Sequence, residues 1–248
     1  PTMGGLHKGH LSLIKKAKNY KCKICVSIFV NPNQFNKKVD FNKYPRNIRY
    51  DIKQLKNLNI NYLYIPSYND IYSFKISNKL YLDRFSKRLC GKFRKGHFEG
   101  VLNAVNRFLE IIKPKYLYMG FKDLQQLLLI ERHILKNGIK TKVVKCKTIR
   151  EKNGVACSTR NLNLSNKQLQ VASNIYKYLI NLKKKIKTNY KFIKINSVKK
   201  DLITLGASKI DYLENINLNI MHMEKRKNKQ SRLFIAYYIK NIRLIDNI

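Results

Sequence analysis

The chain has 248 residues, 44 % of them hydrophobic, enough to bury a sizeable core in one large domain or two smaller ones. Its 52 lysines and arginines stand against 14 acidic residues, a net charge of +38. No apolar run is long enough to span a bilayer and no secretory leader is visible, so the expectation is a soluble cytoplasmic protein without membrane contact.

The opening stretch, PTMGGLHKGHLSLIKKA, organises the rest. Gly4 and Gly5 permit a tight turn and a close backbone approach to a bound group. His7 and His10 flank Lys8 and Gly9, and Leu11, Ile14 and Ala17 then follow at helical spacing. Free N–H groups and a helix N-terminus favour an anion, and two imidazoles there can donate to phosphate oxygens. The spot therefore reads as a triphosphate site. Taken alone, the same residues also fit a glycine turn before a helix with solvent-facing histidines. The chain opens on the proline of this motif without a strand to deliver the turn, which predicts that a first strand lies ahead of Pro1.

Residues 22–30 are rich in Ile and Val and do not alternate apolar with polar, in the manner of a buried strand in a parallel sheet covered on both faces. Cys22 and Cys25 would then point to opposite faces of that strand, a poor metal pair with no second pair to complete it. Five scattered cysteines suit reduced thiols better than disulfides. The strand runs into Asn31-Pro32-Asn33-Gln34-Phe35, at the strand end where α/β sheets bind ligands. Asn31 and Gln34 are candidate contacts, although Asn-Pro is also ordinary turn chemistry.

Ile48, Ile52, Leu55 and Leu58 predict a helix, and residues 61–65 a short strand stopped by Pro66. Residues 67–95 are polar and poorly periodic, an excursion. Val101, Val105, Phe108, Leu109 and Ile112 make the apolar stripe of a helix ended by Pro114. Residues 116–119 form a strand, and Gly120-Phe121-Lys122-Asp123 turns into a helix over 124–137, closed by Gly138. This repeats the opening design. Lys122 is placed to meet phosphate, Asp123 to start the helix, and Gln126 to face the same cleft; Asp123 as N-cap with a solvated lysine is the plain alternative. Residues 142–148 are a further strand. Asn153-Gly154 predicts a hairpin-like turn, and Ser158-Thr159-Arg160 gathers donors suited to phosphate.

Ser165 can cap a long helix to about residue 187, with a shorter one over 198–205 and strands over 209–213, 233–239 and 242–245. An α/β first domain, residues 1–148, thus precedes a smaller α+β domain, residues 149–248. The basic residues rise together with Asn, Ile and Tyr along the whole chain, as strongly AT-rich coding produces. Only residues 183–187 form a block, on what reads as a helix surface. Without clustered basic residues and interleaved aromatics, no specific nucleic acid partner is expected, though a positive field gathers anionic substrates.

The segments PTMGGLHKGH, SIFVNPNQF, DFNKYPRN, GHFEGV, GFKDLQQL, REKNGVACSTRN, KIDYLE and RLIDNI come in the order and at the spacings of the pantothenate synthetase (pantoate–beta-alanine ligase) family, which the whole chain resembles. The resemblance implies a Rossmann-like parallel-sheet nucleotidyltransferase domain with a smaller C-terminal lid domain, working as a cytosolic homodimer on Mg-ATP with no tightly bound cofactor. It implies that pantoate attacks the α-phosphate of ATP to give pantoyl adenylate and pyrophosphate, and that β-alanine then displaces AMP. By that resemblance His7, His10 and Lys122 are catalytic, His10 in the acid role. ATP is held by Met3, Gly4, Gly5, Leu6, His7, Lys8, Gly9 and His10, by Gly120, Phe121, Lys122 and Asp123, by Ile149, and by Cys157, Ser158, Thr159 and Arg160. Gln34 matches the amide shared by pantoate and β-alanine, and Gln126 the second pantoate contact. The chain departs from the family at Phe121 (usually Glu or Gln), Lys95 (usually Pro) and Cys90 (usually Glu). A same-fold enzyme that adenylylates a phosphate-bearing substrate would need basic groups where Gln34 and Gln126 stand. A tRNA synthetase would need a Lys-Met-Ser-Lys-Ser-like loop, which is absent from the sequence.

Overall fold

In a computed structural model of the chain, which describes residues 1–75, 77–188, 195–218 and 231–248, short strands alternate with amphipathic helices through a first unit, Pro1–Ile149. Helix α1 (Lys8–Lys18) buries Ile14 and Ala17, and β1 (Cys25–Ser27) follows. A single 3₁₀ turn (Pro32–Gln34) and helices α2 (Lys38–Asn42) and α3 (Ile48–Asn57) lead to β2 (Tyr62–Tyr64), which pairs with β1 in parallel. Short helices α4 (Tyr68–Tyr72) and α5 (Cys90–Phe93) precede α6 (His97–Ile112). Then β3 (Tyr116–Gly120), α7 (Leu124–Lys136) and β4 (Lys142–Cys146) repeat the parallel strand–helix–strand unit. Leu6, Ile14, Val26, Ile28 and Leu55 form one core cluster, so the opening loop, α1, β1 and α3 share a single apolar contact zone.

Several expectations change here. The apolar run 22–30 yields only three strand residues, and Thr2 continues β1's other edge through a single parallel bridge to Ile28. The α/β reading with parallel pairing holds, and among the described residues that pairing forms two two-stranded ladders, β1–β2 and β3–β4. The excursion over 67–95 contains two helical turns, a 3₁₀ turn at Arg84–Lys87 and a capping box in which Ser67 and Asp70 bond each other's backbone. Serine and aspartate three residues apart form this locally, without any long apolar period to announce it.

The second unit, Arg150–Ile248, carries α8 (Asn166–Thr188), α9 (Ile195–Thr204) and the antiparallel strands β5 (Lys209–Asn217), β6 (Ser231–Ile239) and β7 (Ile242–Asn247), in the order β5-β6-β7. Ala172, Ile175, Leu179, Leu182 and Ile186 recur every three or four residues along α8 and pack in one cluster with Leu233, Ile235 and Tyr237 of β6. Ser165 starts α8 as expected, exchanging backbone and side-chain bonds with Gln168. The basic block differs from its reading as a solvated face. Lys183 is buried, and its ammonium donates to Asn215 Oδ1 (3.1 Å), Ser231 O (2.8 Å) and Ser231 Oγ (3.0 Å), tying α8 to two strands. The side chain of Lys187 lies outside the described residues. Among the described residues, no helix is long and apolar enough to cross a membrane.

Candidate active site

Gly4 and Gly5 both take left-handed backbone, φ +74 and +60, which lets the chain double back after Thr2. A Cβ on Gly4 would sit 3.0 Å from Asp51 Oδ2 and 3.3 Å from Ile28 Cγ2, so the loop is pressed against α3 and β1. The N–H groups read as free for an anion are largely occupied. Gly5 and Leu6 donate to the two carboxylate oxygens of Asp51 at 2.8 Å each, and Gly4 donates to Thr2 Oγ1. Leu6 sends its side chain into the core. Asp51 is 1 % exposed and was not among the candidates, yet it shapes the loop. Its signal is present in the sequence: it lies on the same helical stripe as Ile48, Leu55 and Leu58, a carboxylate on a core-facing surface.

His7 is the N-cap of α1, its Nδ1 accepting the Gly9 N–H at 3.1 Å. A neutral ring so placed carries its proton on Nε2. The His10 ring stacks beside it with centroids 4.0 Å apart. His10 Nδ1 is buried and has no hydrogen-bond partner among the described residues. Burial, and after it the neighbouring charges of His7, Lys122 and the terminal amine, holds His10 well below its ordinary value of 6.5. Both influences disfavour the imidazolium, so the ring serves as a hydrogen-bonding group more readily than as a fixed cation. Lys122 lies on the Phe121–Asp123 turn after β3 and pairs with Asp123 at 3.6 Å. Asp123 occupies the N-cap position of α7 without a side-chain cap bond, in contrast to the plain alternative read from the sequence.

Gln34 is buried at the end of the turn after β1 and donates through Nε2 to Met3 Sδ, so this amide meets the opening loop. Asn31 is a framework residue: its Nδ2 donates to Gly100 O (2.9 Å), and its Oδ1 accepts from Tyr72 OH (2.7 Å) and Asn33 N (3.1 Å). Its oxygen and one of its two N–H donors are thus used by the chain, which favours the turn reading over the ligand reading. The two adjacent glutamines of α7 also divide in role. Gln125 bonds Phe85 O, Arg88 O and Cys90 N and so pins the 85–90 segment, while Gln126 is half-buried with no hydrogen bond to another described side chain. In the first unit the structure thus brings Gln34 to Met3, and His10 to His7 and within the electrostatic reach of Lys122. It does not bring Gln126 or Ile149 into hydrogen-bond contact with them; Lys8 is exposed and Ile149 half-buried.

In the second unit the Asn153-Gly154 turn is closed by Glu151 N to Val155 O (2.8 Å) and Gly154 N to Glu151 O (2.9 Å), as the pair predicts. Arg150 holds its base with a two-pronged pair to Asp246 (2.6 and 3.0 Å). Cys157 and Thr159 are buried, Cys157 Sγ donating to Glu151 Oε1 at 3.1 Å, and Ser158 Oγ caps the Thr159–Asn163 turn by accepting from Arg160 N. All five cysteines are free thiols.

The family profile described as pantoate-beta-alanine ligase matches residues 1–248. The pantothenate synthetase of Flavobacterium psychrophilum is 40 % identical, the match covering 100 % of this chain and 89 % of that protein. The crystal structure of the pantoate-beta-alanine ligase of Francisella tularensis, complexed with beta-gamma ATP and beta-alanine, is similar with a TM-score of 0.84 and 37 % identity, covering 100 % of this chain and 87 % of that one. The pantothenate synthetase of Thermus thermophilus gives a TM-score of 0.89 at 29 % identity, over 100 % and 91 %.

Proposed function

Since the chain belongs to the pantoate–beta-alanine ligase family, with the ATP-dependent condensation of pantoate and β-alanine as its reaction, we propose that the opening loop and Lys122 carry the adenylation step. The reaction proceeds through pantoyl adenylate. A pantoate carboxylate oxygen bonds to the α-phosphorus as the bond to the β-phosphate oxygen breaks and pyrophosphate leaves. The β-alanine amine then attacks the acyl carbon and AMP departs. Negative charge gathers at phosphorus in the first step, and fixed donors that need no reorganisation lower its barrier.

The observation that carries this assignment is His10 beside His7, ring centroids 4.0 Å apart, with its Nδ1 buried and without a hydrogen-bond partner among the described residues. A neutral imidazole can donate a hydrogen bond to a phosphoryl oxygen without first releasing a proton, and Lys122 supplies the charge. Met3, Gly4, Gly5, Leu6, Lys8 and Gly9 hold the nucleotide through backbone shape, with Gly120, Phe121 and Asp123 as the second loop and Ile149 at the adenine. Gln34 and Gln126 bind pantoate, Gln34 also β-alanine, since each amide offers donor and acceptor to a substrate with hydroxyls and a carboxylate. In the second unit, the segment Cys157, Ser158, Thr159 and Arg160 is proposed to bind phosphate. The nucleotide enters as Mg-ATP, the ion held by phosphate oxygens and water as part of the substrate. The family resemblance supports a homodimer, and five free thiols suit a reducing cytoplasm.

The test is pyrophosphate release. It should require ATP and pantoate together, and AMP with pantothenate should follow on adding β-alanine; turnover without pantoate defeats the assignment. His10→Ala should slow adenylate formation by at least ~100-fold, the scale of a lost transition-state donor.

A further inference from the structure

We infer that Arg94 and His97 are positioning residues for Gln34, acting through its main-chain carbonyl; this rests on the reading that the Gln34 amide contacts pantoate. The Gln34 carbonyl oxygen faces two side chains at once, His97 Nδ1 at 2.8 Å and Arg94 Nη2 at 3.1 Å. Arg94 Nη1 lies 3.2 Å from His97 Nε2. A guanidinium can only donate, so Nε2 is the acceptor, the ring proton sits on Nδ1, and Nδ1–H donates to the carbonyl. The three groups close a ring of hydrogen bonds, and both lone pairs of one carbonyl are engaged.

The chain is built to hold these groups there. Arg94 and His97 are brought side by side by the turn that opens α6, His97 N donating to Arg94 O at 3.1 Å. Three residues on, Gly100 lies against the preceding peptide, Asn33–Gln34: a Cβ there would stand 2.2 Å from Asn33 O and 2.8 Å from Gln34 N. Asn31 locks the other side by donating to Gly100 O. The peptides on either side of the Gln34 Cα are therefore both held, the first against Gly100 and the second by Arg94 and His97, while its side chain extends to Met3 of the opening loop. Tilting that plane would swing the amide away from any substrate group it meets, and a misplacement of about 1 Å can cost about 100-fold in rate.

The test separates nitrogen position from side-chain presence. In asparagine the amide nitrogen can stand where His97 Nδ1 stands, and in glutamine where Nε2 stands. His97→Gln should raise the KM for pantoate about tenfold or more with the KM for ATP within about twofold, and His97→Asn should restore most of the loss. Arg94→Met should follow His97→Gln in direction. Equal behaviour of the Asn and Gln variants, or an equal rise in both KM values, overturns the positioning role. Gln34→Ala is measured in parallel. If it leaves the pantoate KM unchanged, the reading of Gln34 falls and the positioning role with it. If it raises that KM and His97→Gln does not, the positioning role alone falls.

Discussion

His7 has a structural duty and is proposed to have a chemical one. Its Nδ1 closes the first turn of α1 on Gly9, which places the proton of the neutral ring on Nε2. The two duties separate by mutation. Asparagine is a good N-cap and alanine a poor one, a difference of about 1 kcal/mol. His7→Asn should keep the melting temperature and His7→Ala should lower it, while both slow pyrophosphate release; a stable His7→Ala would remove the cap. Asp51 makes the complementary case, a buried carboxylate whose two acceptors match two backbone donors. Asp51→Asn turns an NH₂ toward one of those N–H groups and should destabilise by about 2 kcal/mol. Because the loop then loses its shape, the KM for ATP should rise as well, and an unchanged ATP titration would separate Asp51 from the nucleotide.

At the level of elements, α6 and the turn after β1 are one assembly, since the N-terminus of the helix abuts the Asn33–Gln34 peptide at Gly100. Gly100→Ala has no room for its methyl against backbone atoms and should cost about 1–3 kcal/mol through displacement of the turn. Its kinetic signature should be a raised pantoate KM; a raised ATP KM alone would contradict the assembly. The long helices were legible because their apolar period is long: 101, 105, 108, 109 and 112 in α6, and 172 to 186 in α8. The strands were legible in place but not in length: of the run 22–30 only residues 26–29 are buried, and pairing ends where the neighbouring strand ends. The turns that carry His7, His10 and Lys122 were read from glycine spacing and turn chemistry, and their grouping at one site from the family resemblance. Asp51 carries a local signal in its place on the apolar stripe of α3, but its partners, like those of Gln125 and of the Arg94–His97 pair, lie 35 to 63 residues away in sequence and no local pattern encodes them.

At the scale of the whole molecule, the titrations of two described histidines and the net charge bear on the response to solvent. His10 and His133 are both held below 6.5, chiefly by burial, and His133 sits between Asn106 Oδ1 (3.0 Å) and Tyr81 N (3.3 Å). The unfolded chain takes up protons near 6.5 that the folded one refuses. The stabilisation is therefore complete above pH 6.5 and is lost as pH falls below it, toward the depressed folded values. Melting at pH 5.5 should come several degrees below that at pH 7.5, and a flat profile would refute the burial argument. A net charge of +38 repels itself in the compact state, so raising salt from about 0.05 to about 0.5 M should raise the melting temperature. The buried ammonium of Lys183 has a practical corollary. An amine-reactive label should mark the exposed Lys184 and Lys185 at once and reach Lys183 only when the second unit opens. Mass spectrometry of that one peptide would then time the opening without any added reporter.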